Sequence, residues 1–559
     1  MLFNSIEFLI FLPIVFIAFW AIPARWRWIP LLLASYYFYI YWSPRLIFLI
    51  LFTTLVAYFC GILLERAGER RGTRRLILAL TMIACLGVLI FFKYFNFLYD
   101  TFYDLMWLFD GRFPPGRFDI ILPVGISFYT FQALSYVIDV YRGAVEVQKN
   151  YLNILLYITF FPQLIAGPIV KYRDINRQIT DRHQDIGKIA RGLRRFICGL
   201  AKKVFIANTM GQVADVLFAQ DVSTLALPSA WLGAAAYLFQ IYYDFSGYSD
   251  MAIGLGLMFG FEFKENFMYP YGAVSIQDFW RRWHMSLSRW LKSYLYIPLG
   301  GNRSVLGKPM KNKITAGNIN SFITMLLGGL WHGASWNFVI WGALNGAGMI
   351  VYKVWAKMNW NIKMLLMTAL MGSLWVAYRM LNAPIWNLFY VWGLALWIGT
   401  MIRYIYWWYE RIQMKRGNLL SPIANTLSPI ANSFSTVWAV AQTFVFITFT
   451  RLFFRSGSNL DPATASQEAW ETATNMVNQI GGAWNSSIIP DFLWEYRNVV
   501  ILFVLGMVIH WLPSRVKRWY RVRFAQLPIW VIILIAVAAI IGVYQFVTAD
   551  LQAFIYFQF

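Results

Sequence analysis

Histidine is scarce in this chain of 559 residues, and four positions carry it: His183, His284, His332 and His510. Because imidazole has a reference pKa of about 6.5, it can accept or donate a proton at neutral pH. His183 lies in the charged run Asp-Arg-His-Gln-Asp, and His510 ends an apolar segment just before Trp-Leu-Pro. We expect structural roles for these two. The surroundings of His284 and His332 favour chemistry.

His332 lies in Leu-Gly-Gly-Leu-Trp-His-Gly-Ala-Ser-Trp, and no acidic or basic residue occurs between Lys313 and Lys353. A neutral imidazole there could act as a general base on a hydroxyl group. Four small neighbours would leave space for a narrow substrate beside the ring: Gly328, Gly329, Gly333 and Ala334. The same glycine spacing is also a helix-packing motif, and the histidine could simply donate to a neighbouring helix. Both interpretations stay open on these residues alone.

His284 lies in a stretch that predicts an amphipathic helix beginning at a capping box formed by Ser275 and Asp278. At about 100° per residue, four basic residues fall within an arc of about 100°. These are Arg281, Arg282, Arg289 and Lys292. His284 lies on the opposite side, near Trp280. The basic arc could bind an acidic donor such as coenzyme A, or it could bind anionic lipid headgroups while His284 is buried and structural.

Several common catalytic motifs are missing from the sequence. No Gly-x-Ser-x-Gly elbow, Walker A loop or His-x4-Asp pattern occurs. These absences argue against a serine hydrolase, an ATP-driven pump and one common type of acyltransferase. Nothing in the residue pattern supports a metal site.

The composition indicates that these residues are held by membrane helices. Hydrophobic residues make up 59% of the chain and charged residues 13%, against about 25% charged in soluble domains. Apolar runs of about 17 to 25 residues, each long enough to cross a bilayer, recur throughout. These features exclude a soluble enzyme, a disordered chain and a disulfide scaffold. The net charge of +22 comes from Lys and Arg in short segments between apolar runs, as in cytoplasmic loops, which argues against nucleic-acid binding.

We predict an all-α polytopic protein with roughly a dozen crossings, some of them re-entrant. The expected spans are 6–22, 29–41, 46–64, 76–94, 120–140, 151–170, 225–245, 251–263, 322–351, 364–378, 386–401, 437–454, 499–511 and 529–547. The first is expected to be a span and not a cleaved signal. Basic loops predicted to be cytoplasmic are 65–75, 171–203, 281–313 and 514–523. Acidic loops predicted to be extracytoplasmic are 97–119 and 455–497, whereas the register between 318 and 405 is ambiguous.

An ordered series of motifs resembles the membrane-bound O-acyltransferase (MBOAT) family, and within it the bacterial alginate O-acetylation subfamily. The series comprises Phe-Phe-Pro-Gln-Leu-Ile-Ala-Gly-Pro at 160–168, Gln-Ile-Tyr-Tyr-Asp-Phe-Ser-Gly-Tyr-Ser-Asp at 240–250, Glu-Asn-Phe at 265–267, Phe-Trp-Arg-Arg-Trp-His at 279–284, Tyr-Ile-Pro-Leu-Gly-Gly-Asn-Arg at 296–303 and Gly-Leu-Trp-His-Gly-Ala-Ser-Trp at 329–336. The similarity is strong over residues 1–350 and loose beyond them.

The resemblance implies that His332 is the catalytic histidine and that His284 is its partner. It also implies a ring of transmembrane helices, with re-entrant or interfacial pieces, around a central tunnel. We expect one domain over 1–559, with the motifs at 120–350. The residues expected to bind the donor are the four of the basic arc and five others: Trp280, Trp331, Asn266, Asp244 and Asp250. The two aspartates would equally fit a packing or helix-end role.

The expected reaction moves an acetyl group from a cytoplasmic thioester, acetyl-coenzyme A, with no permanently bound cofactor. His332 would act as the base, and His284 would position or polarise the thioester carbonyl. A periplasmic SGNH-type transferase is the expected partner, together with membrane lipids, in O-acetylation of an exopolysaccharide such as alginate or cellulose at a bacterial inner membrane. Two alternatives remain: D-alanyl transfer to teichoic acid, and a non-catalytic polysaccharide-export subunit in which both histidines can be replaced.

Overall fold

A computed structural model describes most of the chain. The described residues are 1–42, 44–107, 118–182, 185–219, 227–305, 307–415, 422–457, 465–482, 487 and 489–541, the last range with gaps at 529, 532, 536, 539 and 540. His183 and most of the predicted span 529–547 lie outside them, as do parts of the two predicted acidic loops.

The described part of the chain is helical apart from one small hairpin. The first helices are α1 (Ile6–Ala21), α2 (Trp28–Ile40), α3 (Ile47–Arg66), α4 (Arg71–Leu89), α5 (Phe95–Trp107), α6 (Ile126–Tyr141), α7 (Tyr151–Thr159), α8 (Phe161–Leu164), α9 (Tyr172–Thr180), α10 (Ile186–Ala201), α11 (Asn208–Phe218) and α12 (Leu227–Met258). There follow α13 (Ile276–Arg282), α14 (Met285–Leu291), α15 (Lys313–His332), α16 (Trp336–Lys357), α17 (Trp360–Met380), α18 (Pro384–Lys415), α19 (Pro422–Ser456), α20 (Ala465–Ile480), α21 (Ile489–Glu495), α22 (Arg497–Trp511) and α23 (Ser514–Ala525). Strands β1 (Ser304–Val305) and β2 (Lys308–Pro309) pair antiparallel.

Six helical segments in the described ranges are long and apolar enough to cross a membrane. They are Pro44–Arg66, Arg71–Met106, Trp336–Lys357, Trp360–Met380, Pro384–Gln413 and Ser433–Ser456, and a bent pair ending at Trp511 would make a seventh. The all-α polytopic prediction is confirmed. Several of the dozen predicted crossings instead form shorter helices. The segment 151–170, for example, breaks between α7 and α8, where Pro162 occupies the first turn of α8 and its missing N–H prevents continuation from α7.

The predicted spans 225–245 and 251–263 are wrong as separate segments, because α12 runs unbroken from residue 227 to residue 258, out of the first and into the second. Asp244 and Asp250, which lie on this helix, are neutralised by cations near the end of α10. Lys203 Nζ lies 2.5 Å from Asp244, and Lys202 Nζ lies 2.6 Å from Asp250. Paired in this way, the two carboxylates are compatible with a continuous buried helix.

The predicted span 322–351 is also wrong, because the chain breaks at Gly333–Ser335 and returns as α16. The two helices pack antiparallel, since Lys353 Nζ donates to Ser321 Oγ at 3.2 Å. Lys353 therefore lies beside the N-terminal part of α15, close to where the basic loop 281–313 ends. Glycines at the contact bring the backbones together: a Cβ on Gly342 would lie 2.5 Å from the Met325 carbonyl oxygen.

Candidate active site

His332 is the last residue of α15, and its ring lies in an aromatic enclosure. The helix begins at Asn312, whose side chain accepts from the N–H of Ile314 at 3.0 Å, and it stops where Gly333 becomes extended. The His332 side chain is buried. Its ring centroid lies 4.9 Å from that of Trp331, 5.1 Å from Trp341 and 5.2 Å from Phe454. The imidazole is thus held by rings from α15, α16 and α19.

The glycines around His332 do not provide the expected open space. A Cβ added to Gly329 would lie 2.9 Å from the Cα of Gly342, so these two glycines are in close contact. Gly333 is in close contact with the ring of Phe338. The packing interpretation of this glycine pair is therefore the correct one. It does not weaken the case for His332 itself, because tight packing fixes the position of its ring.

His284 occupies a break in the predicted amphipathic helix. The helix stops at Arg282, and His284 adopts φ 42° and ψ 53° before α14 begins. Among the described residues, only His284 and Tyr269 combine a side chain with positive φ. Such a conformation costs on the order of 1–3 kcal/mol. Its presence here means that the surrounding contacts hold the ring, which is fully buried, in one place.

Asn266 supplies those contacts and selects the tautomer of His284. Its side-chain oxygen accepts from the N–H of Ser286 at 3.1 Å and lies 3.2 Å from His284 Nδ1, while its side-chain nitrogen donates to Ser249 Oγ at 3.0 Å. The amide oxygen can only accept, so its contact with Nδ1 is a hydrogen bond in the tautomer that carries the proton on Nδ1. In the neutral ring, Nε2 is then an acceptor.

The structure brings the two histidines together, with ring centroids 6.5 Å apart. Trp331 lies beside both, 6.1 Å from the His284 ring, and it stacks on Phe131 at 5.4 Å. The indole N–H of Trp331 is buried and has no hydrogen-bond partner among the described residues. A buried donor without a partner costs about 1–3 kcal/mol, so this N–H is well suited to a substrate oxygen.

Two cations near the histidines, the buried Arg451 and the partly buried Lys93, were missed by the sequence analysis. Arg451 of α19 is 1% exposed, and its guanidinium lies 4.4 Å from the Trp283 ring centroid, 5.1 Å from Trp341 and 4.9 Å from Phe454. It therefore braces the rings that enclose His332. Lys93, between α4 and α5, donates to the main-chain oxygen of His332 at 3.1 Å. Both come from segments far from the histidine motifs in sequence.

The structure places the predicted donor-binding residues in different surroundings. Trp280 is buried and donates to Asn345 at 3.3 Å, Arg282 pairs with Asp278 at 3.0 Å, and Arg281 and Lys292 are exposed. Asp244 and Asp250 form the ion pairs described above. The predicted arc required one continuous helix, and the break at His284 removes that geometry. Of the basic arc, Arg289 lines a pocket that is also lined by residues from the segments 168–174 and 262–264.

That pocket has a volume of about 50 Å³ and lies on the side of the basic loops. Four cationic residues line it together with two acidic ones: Lys171, Arg173, Lys264, Arg289, Asp174 and Glu262. Burial, followed by repulsion from Arg173, lowers the pKa of Lys171 to about 8. Ser286 also lines the pocket, and its hydroxyl lies 3.4 Å from His284 Nδ1. The pocket therefore adjoins the histidine pair.

His510 has the structural role that the sequence predicts, although it is buried and not interfacial. Its Nε2 accepts from the N–H of Tyr271 at 3.1 Å, and Lys517 donates to its main-chain oxygen at 2.5 Å. These bonds hold α22 and the start of α23 against the segment 269–272.

The helices and the paired buried histidines define a multi-pass membrane enzyme. Residues 144–392 match MBOAT, the membrane-bound O-acyltransferase family. The chain is 46% identical over 352 residues to a protein of Azotobacter vinelandii named probable alginate O-acetylase AlgI, covering 63% of this chain and 68% of that protein. It is 43% identical over 402 residues to the Pseudomonas aeruginosa protein of the same name, covering 70% and 74%. It is 37% identical over 391 residues to a peptidoglycan O-acetyltransferase of Helicobacter pylori, covering 64% and 71%. This chain belongs to the MBOAT family and is an acyltransferase, which confirms the resemblance.

Proposed function

We propose that this protein moves an acetyl group from a cytoplasmic thioester across a bacterial inner membrane for O-acetylation of a polysaccharide. The observation that carries the proposal is the His284–His332 pair, with rings 6.5 Å apart, next to a cation-lined pocket. The names of the relatives, alginate O-acetylase and peptidoglycan O-acetyltransferase, support an acetyl group and a glycan as substrates.

We assign acetyl-coenzyme A, bound as a substrate, as the donor at this pocket. Its phosphates would meet the cations at the rim, chiefly Lys171, Lys264 and Arg289, because charge-assisted hydrogen bonds favour phosphate. Its thioester arm would extend past Ser286 toward His284. This assignment replaces most of the predicted basic arc and keeps Arg289.

In the proposed reaction, His332 removes the proton from an acceptor hydroxyl, and the oxygen attacks the thioester carbonyl carbon. The negative charge that develops on the carbonyl oxygen accepts a hydrogen bond from the indole N–H of Trp331. When the C–S bond breaks, the thiolate takes the proton back from His332. The acetyl ester and the free thiol are the products.

The tautomer of His284 changes the role expected for it. With Nδ1–H donating to Asn266, neutral His284 presents an acceptor at Nε2 and has no proton there for polarising a carbonyl. We therefore assign His284 to accept a hydrogen bond from the donor and so to orient the thioester arm. Trp331 takes over the polarising role.

The acceptor hydroxyl fits a serine of a periplasmic SGNH-type transferase, which would pass the acetyl group on to an exopolysaccharide such as alginate or cellulose. Acetyl transfer by this chain and modification of the polymer would then be separate steps. The prediction of this partner comes from the family resemblance.

The test is the O-acetyl content of the polysaccharide in cells that carry wild type, His332→Ala or His284→Ala at matched membrane levels. Gly372→Ala is the control, since an added Cβ there meets no atom within 4 Å. We expect loss of acetyl groups in both histidine variants and none in the control. Normal acetylation in His332→Ala would overturn the proposal and favour the export subunit. Labelled D-alanine reaching the polymer in place of acetyl would favour D-alanyl transfer.

A further inference from the structure

Lys93 lies in a π-helical turn, Ile90–Tyr94, between α4 and α5. The whole segment Arg71–Met106 is a candidate membrane span, where a lysine is costly and usually functional. The π-turn inserts an extra residue into the helix, a distortion that often marks a functional position. Here it directs two consecutive side chains, Lys93 and Tyr94, at the end of α15.

These side chains bind the last three carbonyl groups of α15. Lys93 Nζ donates to the main-chain oxygen of Trp331 at 2.7 Å and of His332 at 3.1 Å. The Tyr94 hydroxyl donates to the main-chain oxygen of Leu330 at 2.8 Å. Carbonyl groups at a helix C-terminus lack partners within the helix and carry partial negative charge. An ammonium group therefore stabilises this end of α15 in two ways: it donates hydrogen bonds to these carbonyl groups, and its charge balances their partial negative charge.

The geometry points to Lys93 as a positioning residue for the reaction. By binding the main chain of Trp331 and His332 together, it fixes the distance between the indole N–H and the imidazole ring. This inference rests on the proposed function, because it assigns Lys93 to hold the two groups that act in acetyl transfer. Ser127 Oγ, 3.4 Å from Nζ, is a weaker contact of the same ammonium group.

A purely structural role for Lys93 would be to join α4–α5 to α15. Tyr94→Phe provides the comparison, because it removes a hydrogen bond between the same two segments but leaves the carbonyl groups of Trp331 and His332 bound. Lys93→Met keeps an unbranched apolar chain close to the length of the lysine stem and removes all the donors of the side chain. Lys93→Arg keeps charge and donors.

The experiment uses inside-out vesicles from cells that make the full-length protein and its polymer, supplied with labelled acetyl-coenzyme A over a range of concentrations. We expect Lys93→Met to lower kcat by about 10²-fold, the effect of misplacing reacting groups by about 1 Å, with the donor KM within twofold of wild type. We expect Tyr94→Phe to lose less than a tenth as much kcat as Lys93→Met, while its thermal stability falls by an equal or larger amount. Lys93→Arg should recover part of kcat.

A wild-type kcat per folded molecule in Lys93→Met would overturn the inference, as would a kcat loss no larger than that of Tyr94→Phe. His332→Ala is included in the same series. If that variant transfers acetyl normally, the proposed function fails. If it is inactive while Lys93→Met is fully active, only the positioning role fails.

Discussion

Replacing Gly342 with alanine tests whether the contact between α15 and α16 holds His332 in place. The added Cβ would lie 2.5 Å from the Met325 carbonyl oxygen and 3.1 Å from the Cα of Gly329. Both are backbone atoms, so the clash cannot be relieved by the rotation of a side chain. Since ordinary contact begins at 3.4 Å, the two helices must separate by about 0.9 Å.

The matched control is Gly372→Ala in α17, where an added Cβ meets no atom within 4 Å. Both changes gain about 1 kcal/mol of helix propensity, so the difference between the variants isolates the clash. Overpacking a well-packed contact costs about 1–3 kcal/mol, and we expect Gly342→Ala to be less stable than the control by that amount. Because Trp341 contacts the His332 ring at 5.1 Å, the shift should also lower the acetylation rate by about 10²-fold.

The assay pairs thermal unfolding in detergent with the rate of acetyl transfer per folded molecule. The reasoning fails if Gly342→Ala matches Gly372→Ala in both measurements. Lower stability with an unchanged rate would show that the helix contact does not determine the position of the imidazole.

Three further predictions concern the site. Asn266→Ala leaves the N–H of Ser286 and Nδ1–H of His284 without their acceptor, at a cost of about 1–3 kcal/mol each. Unfolding and transfer assays should therefore show a loss of stability and a loss of transfer rate. Both losses should be smaller in Asn266→Asp, which keeps the acceptor. Trp331→Phe removes one N–H and should lower kcat by about 10²–10³-fold without raising the donor KM, and a wild-type kcat would exclude the indole as the oxyanion donor. Lys171, with a pKa of about 8, is charged below that pH and neutral above it. The donor KM should therefore rise as the pH passes through 8, and Lys171→Met should abolish that rise; a parallel rise in the variant would contradict a role for this ammonium group.

The sequence predicted the class of fold, and it singled out the two histidines that the structure brings together, but it did not predict how the helices are divided. An apolar window covers 322–351 without interruption, so hydropathy gives one span. The break depends on Gly333 meeting Phe338, a contact with a residue of the next helix. Conversely, the cations that neutralise Asp244 and Asp250 within α12 lie 41 and 48 residues earlier in the chain, so no local pattern shows that one buried helix can carry both carboxylates.

The cations around the site could not be predicted for a similar reason. The absence of charge between Lys313 and Lys353 suggested an uncharged environment for His332. Lys93 reaches it from 239 residues away, and Arg451 comes from α19. The break at His284 was equally hidden, because capping and periodicity predict a continuous helix and the bonds from Asn266 that hold the left-handed turn are non-local. Local patterns identify the reacting groups, and contacts between distant segments determine their geometry.

Lys93 and Arg451 also bear on ion leakage through the membrane. In the proposed function, the centre would take a donor from one face and pass acetyl to the other without becoming a conducting path, since the membrane potential drives each unit charge by about 2.3 kcal/mol per 100 mV. Basic residues oppose the entry of cations in water-selective pores. Lys93 and Arg451 place two basic side chains at the enclosure of His332, so under this proposal they would oppose the passage of cations where the neutral acetyl group crosses.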